Sequence, residues 1–187
     1  VEFVNFNDTV ANVAENDTVL QKPFAMRLNA MLTVQPNAVF TIFLSPDGKN
    51  RVNIDGEGSL NYSQTYQGDM NMTGKYVINS GYVRYTPPML SEKLFNFVDG
   101  SSVVWTGEML NPTLNVKAVE TIKANVTTDQ NSRLVPFDVS LNVGNTLNEL
   151  DVTFDVSTEA DMTIANELSG MTQEQRSTQA MNLLLYG

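Results

Sequence analysis

Paired carboxylates are the leading option for acid–base catalysis in this sequence, which carries 21 Asp and Glu, no histidine and no cysteine. Two carboxyl groups flanking a glycosidic bond would suffice for sugar hydrolysis. The acids that stand out, Asp47, Asp55, Asp99 and Asp151, fall in turns or on the polar side of alternating runs, where solvated charge is the ordinary state of an acidic residue. Lack of histidine removes the commonest general base and metal ligand. Lack of cysteine removes thiolate nucleophiles, thiolate zinc sites and disulfides. No phosphate loop, dinucleotide fingerprint or EF-hand series occurs, and Pro46-Asp47-Gly48 reads as a turn. The residues therefore predict no catalytic group, no bound metal and no cofactor: a protein that is not an enzyme.

Charge narrows the partners. The net charge of −10, with only 11 Lys and Arg spread along the chain, argues against nucleic acid, which requires clustered cations. Hydrophobic residues make up 42% and charged residues 17% of the 187 positions, the composition of a folded domain. The reading is a single domain over 1–187, with a polar, partly irregular arm at 1–23 and a helical end at 158–187. The opening VEFVNF reads as the interior of a longer chain.

What positions the side chains is a period of two, which sends successive residues to opposite faces of a sheet. Val135, Phe137, Val139, Leu141 and Val143 share one face, and Leu150, Val152, Phe154 and Val156 repeat the pattern after a turn at Gly144-Asn145. Phe24, Met26, Leu28, Ala30, Leu32 and Val34 form another apolar row, followed by an expected turn at Pro36-Asn37 and the run AVFTIFLS. Met70, Met72 and Tyr76 fall on the inward side of the run DMNMTGKYVI. Counting runs bounded by Gly, Pro, Asn or Asp gives roughly ten mainly antiparallel strands. Near the end, Thr172 and Gln175 make a capping-box pattern, and Ala180, Met181, Leu184 and Leu185 form an apolar helical stripe. A shorter helix around MTIANELSG, ended by Gly170, precedes it.

The lone tryptophan sits in a longer string: Phe95, Gly100, Ser101, Trp105, Gly107, Asn111, Pro112, Leu114, Asn115 and Ala118, preceded by Gly74 and Gly81. Its local physics is architectural. Val103 and Trp105 project to one face, Gly107 is expected to permit the turn, and Pro112 fixes φ before the next strand. This string, with the terminal stretch IANELSGMTQEQRSTQAMNLLLYG, resembles the C-terminal domain of the TamB family of translocation and assembly module proteins, in its Bacteroidota-type members, over about residues 66 to 187. The resemblance implies an all-β fold, a curled groove or β-taco of long amphipathic strands with a short C-terminal helical segment. It also implies that the chain is part of an elongated periplasmic protein anchored in the inner membrane. The implied function is transport of phospholipid between the inner and outer membranes, in support of outer-membrane biogenesis. An overlapping role lies in outer-membrane protein and autotransporter assembly, and so in protein secretion, beside a TamA or Bam-type barrel.

An apolar track needs no catalyst. Exposing a methylene costs about 0.8 kcal/mol, so a diacyl lipid with roughly 30 of them faces on the order of 20 kcal/mol in crossing water unshielded. The expected groove lining is Phe24, Met26, Leu28, Leu32, Met70, Met72, Tyr76, Phe137, Val139, Leu141, Val152 and Phe154, contacting acyl chains passively. Two alternatives use the same pattern. Exposed strand edges would dock an outer-membrane barrel by β-augmentation, or the apolar faces would close on each other as a sealed sandwich.

Overall fold

A computed structural model describes residues 26–86, 91–128 and 131–187. Phe24, expected in the first apolar row, lies outside them. The element order is β1 (Leu28–Phe43), β2 (Arg51–Gln64), β3 (Met70–Tyr85), β4 (Lys93–Phe97), β5 (Ser102–Glu108), β6 (Thr113–Thr128), β7 (Asn131–Thr146), β8 (Asp151–Ser157), α1 (Met162–Ser169) and α2 (Gln173–Tyr186). The strands form one antiparallel sheet that follows chain order from β1 to β8. Strands β4 and β5 lie end to end in a single lane between β3 and β6. Buried Ser101 joins them: its backbone carbonyl accepts from the Ile78 amide at 2.8 Å, and its hydroxyl donates to the Val98 carbonyl at 2.8 Å and accepts from the Lys117 amide at 3.1 Å.

Six short runs that read as separate strands are joined in three pairs, RVNIDG and GSLNYS within β2 among them, and a glycine that read as a turn lies inside a strand. The expected turn at Pro36-Asn37 is a bulge inside β1. The register slips between Val34 and Ala38, Asn37 adopts φ 72°, and its amide donates to the Asp55 carboxylate at 3.0 Å. Local turn chemistry is satisfied by bending the strand. A second slip between Asp55 and Gly56 leaves Asn79 of β3 unopposed, so the runs around Gly81 fuse as well. Gly107 stands within β5 at φ 151°, and the reversal follows it, where the Asn111 amide donates to the Glu108 carbonyl at 3.3 Å. The roughly ten expected runs therefore become eight strands among the described residues.

Residues directly opposite in a ladder share a face. Leu32 opposes Leu60, Leu60 opposes Gly74 and Gly74 opposes Trp105. Val103 opposes Leu114, and Ala118 opposes Leu141, which opposes Phe154. One apolar face thus runs through the whole sheet. The other is polar: Thr41 donates to Asn53 at 2.6 Å, Asn53 to the Tyr82 hydroxyl at 3.3 Å, and Thr121 to Asp138 at 2.7 Å.

The two helices cover only the C-terminal half of the apolar face. Asp161 caps α1, accepting from the amides of Thr163 and Ile164 at 2.9 and 3.1 Å, and pairs with Arg133 of β7. Thr172 and Gln175 form the expected capping box of α2. Arg176 then pairs with Asp155 at 2.7 Å, and Gln173 donates to the Phe154 carbonyl at 3.0 Å. The core is Phe95, Ala118, Ile122, Val135, Phe137, Val139 and Val156 against Ile164, Leu168 and Ala180. Among the described residues no helix is long and apolar enough to cross a membrane.

This division has a mechanical signature. Phe137→Ala should cost about 3–5 kcal/mol, as for a large core side chain, whereas Val39→Ala, on an exposed part of β1, should stay within about 0.5 kcal/mol. Urea unfolding checks both, and equal losses would contradict a core confined to the covered half.

Candidate functional site

The apolar face is the candidate site, and it has an open and a covered half. On β1 its residues are 38% exposed at Leu28, 47% at Phe40, 52% at Ile42 and 54% at Leu32. Met70 of β3 is exposed too, Met72 is half-buried and Met26 lies exposed just before β1. These are apolar surfaces that a closed sandwich would have hidden. Tyr76 is the buried centre of this half. Its ring meets Phe40 edge-on at 6.1 Å and lies above Gly56, where an added Cβ would stand 2.7 Å from the tyrosine oxygen. That hydroxyl is buried and unpaired among the described residues. Burial, helped by the nearby Asp55 charge, pushes its pKa up, so it remains a neutral hydroxyl.

Other expected lining residues are not on an open track. Phe137 and Val139 are buried beneath the helices, with Leu141 and Phe154 packed against the same core. Val152 shares their face but lies exposed beyond the helices' cover. The period of two placed these residues on one side, but it carries no information about which part of that side a later helix covers.

The tryptophan string is a corner of the scaffold. Gly74, at φ 135°, faces Trp105 across the β3–β5 ladder, and an added Cβ would stand 2.2 Å from the Ser59 carbonyl. Only glycine lets the strands close there, and an aromatic opposite a strand glycine shields the backbone left bare. Gly81 meets the Asn53 carbonyl in the same way, at 2.1 Å. Trp105 Nε1 donates to the Met109 carbonyl at 3.0 Å, bracing the turn. Asn111 donates to Glu108 at 3.1 Å and accepts from the Asn148 amide at 2.9 Å, while the Pro112 carbonyl accepts from Leu147 at 3.0 Å. The β5–β6 and β7–β8 connections are thereby tied together. Gly100, at φ 88°, makes the step between β4 and β5, and Phe95 belongs to the core.

Lys93 and Glu120 escaped the sequence reading. The register puts Lys93 opposite Tyr85 and Glu120 opposite Val139, so a cation and an anion stand on the otherwise apolar face. Lys93 is buried. Burial pushes the Glu120 carboxyl above its ordinary range, and the Lys93 charge and the Leu94 amide partly offset that. The only available signal was a charged residue at an inward position in each alternation. Arg84 and Glu92, 3.4 Å apart, form a separate and more exposed pair.

The sequence model of the TamB C-terminal domain matches residues 2–187 of the chain. No curated protein matches it.

The Lys93–Glu120 proximity has a titration signature. A carboxyl with a raised folded pKa binds its proton more tightly folded than unfolded. Its contribution to stability therefore falls as pH rises from the ordinary Glu range through the folded value. Removing the neighbouring cation by Lys93→Met should move the Glu120 titration to still higher pH, read by NMR at its side-chain carboxyl carbon. An unmoved curve would show that Lys93 does not act on it.

Proposed function

The chain belongs to the TamB C-terminal domain family, and on that premise we propose that it is a periplasmic, lipid-conducting segment of a TamB-like protein anchored in the inner membrane. The segment shields phospholipid acyl chains passively between the inner and outer membranes in support of outer-membrane biogenesis. The observation that carries this reading is the continuous apolar face whose β1–β3 half stays exposed. A greasy surface of that length lowers the cost of moving methylenes past water, at about 0.8 kcal/mol each. The polar face opposite keeps the strands soluble. The contacts fall to Met26, Leu28, Leu32, Phe40, Ile42, Met70 and Met72, with Tyr76 as the rigid centre.

A second reading has its own observation. The polar face of β1 carries three exposed apolar residues, Met31, Val39 and Phe43, and among the described residues β1 pairs only with β2. This suits an interaction or chaperone module that docks an outer-membrane barrel of TamA or Bam type by strand addition, for outer-membrane protein or autotransporter assembly.

Adjacent residues on opposite faces separate the two. We expect the purified chain, mixed with phosphatidylethanolamine–phosphatidylglycerol vesicles, to carry phospholipid in native mass spectrometry. Leu32→Arg should reduce loading about tenfold or more, because Arg at a lipid-facing strand position costs about 2–4 kcal/mol and about 1.4 kcal/mol is tenfold. Met31→Arg should load normally. Full loading by folded Leu32→Arg would sink the conduit, and loss of barrel capture by Met31→Arg alone would favour docking.

A further inference from the structure

The covered half of the apolar face contains a defect in its packing. Between α2 and strands β3, β4 and β8 lies a cavity of about 250 Å³, walled by Tyr85, Lys93, Phe95 and Phe154 from the sheet and by Met181, Leu184 and Leu185 from the helix. Elsewhere under the helices the side chains interdigitate around Val139 and Ala180, which are completely buried. Well-packed interiors leave few voids larger than a water. A dry apolar cavity of about 150 Å³ is already enough to take up benzene.

The walls restrict the guest. They are carbon almost throughout: the lysine and the tyrosine expose apolar surface to the cavity and contribute almost no polar area. A peptide segment would bring amide groups that find no partner there, at a cost of several kcal/mol per group. A hydrocarbon chain brings none. The way in is apolar too, since Tyr85, Met181 and Leu185 are each more than a third exposed. Continuity points the same way. Tyr85 and Phe95 stand on the face that continues through Val83 and Gly81 to the open half.

We propose that this cavity is a terminal seat of the apolar track, where the methyl end of one acyl chain lodges beneath α2 while its head group stays outside the rim of Tyr85, Met181 and Leu185. The proposal rests on the reading that the open face carries acyl chains, and it adds a place where a chain stops. Helix α2 is the roof of the seat, held by the Arg176–Asp155 pair and by Gln173 on the Phe154 carbonyl. The volume sets a length. At about 30 Å³ per water-sized unit the cavity holds a chain end of roughly eight carbons.

Neutral n-alcohols from hexanol to tetradecanol test this on the intact chain by isothermal titration calorimetry, with thermal unfolding to check each variant. Affinity should tighten about fourfold per methylene and level off near roughly eight carbons. Met181→Trp, at an exposed rim position, should block the mouth and abolish the length dependence. Leu184→Ala should enlarge the seat and move the plateau to longer alcohols; if it unfolds the chain, Met181→Trp still decides. Leu32→Arg, remote on the open half, should leave the alcohol series unchanged. The same series in wild type and Met181→Trp, with phospholipid loading still reduced by Leu32→Arg, would overturn the seat and spare the track. A series lost in Met181→Trp, with loading indifferent to Leu32→Arg, would overturn the track and with it the seat as its end.

Discussion

A strand shows only every second residue to a given side, and the whole structure depends on keeping that parity in step across eight strands. One unmatched residue would turn the rest of a strand inside out. The two ladder irregularities are where one strand carries more residues than its partner, two extra in β1 between Val34 and Ala38 and one extra in β3 at Asn79. Around Asn37 the extra chain is taken up by a bulge anchored on Asp55, and at Asn79 the partner strand runs straight past. Leu32 and Phe40 stay on the same side of β1 because the excess there is even, and Tyr76 and Val83 share a side of β3 because Asn79 is left out of the ladder. Glycine at 74 and 81 serves the same end, because these positions hold neighbouring backbones closer than any side chain would allow.

Parity makes an apolar face but does not decide its fate. Over most of β6, β7 and β8 the face is covered by two short helices, neither long enough to be stable alone in water. Their stability comes from the face they cover. In exchange they hide Phe137, Val139 and Val156, and they bring capping and charge contacts through Asp161, Thr172 and Arg176. Over β1 to β3 nothing comparable lies on the face among the described residues. The same alternation thus yields a conventional core in one half and an exposed apolar surface in the other.

How much of this was legible follows from the range of each signal. Period two is local, so the inward rows of β1, β3, β7 and β8 could be read directly, as could the Thr172–Gln175 box and the helices after Asp161. Strand ends were less legible. Pro36-Asn37, Gly56-Glu57-Gly58 and Gly81 look the same in sequence whether the chain turns or merely kinks, and the neighbouring strand makes that choice. The division of the lining was not legible at all. Nothing near Phe137 distinguishes it from Leu32, and the difference comes from a helix some forty residues further along the chain. Lys93 and Glu120 were overlooked because each is one charged residue in an otherwise apolar row, and only the assembled sheet reveals that they are neighbours.

The contact between α2 and β8 has a consequence for growth. A β-sheet is a linear polymer of strands, and each open edge is a point at which another unit can be added. Gln173 takes one carbonyl of β8 and Arg176 holds its Asp155, so a strand added at this edge would have to displace contacts with α2. Among the described residues β1 pairs only with β2. Among the described residues the two edges are thus unequal as growth points: a strand joining at β8 must first dislodge a helix, whereas one joining at β1 meets no such contact.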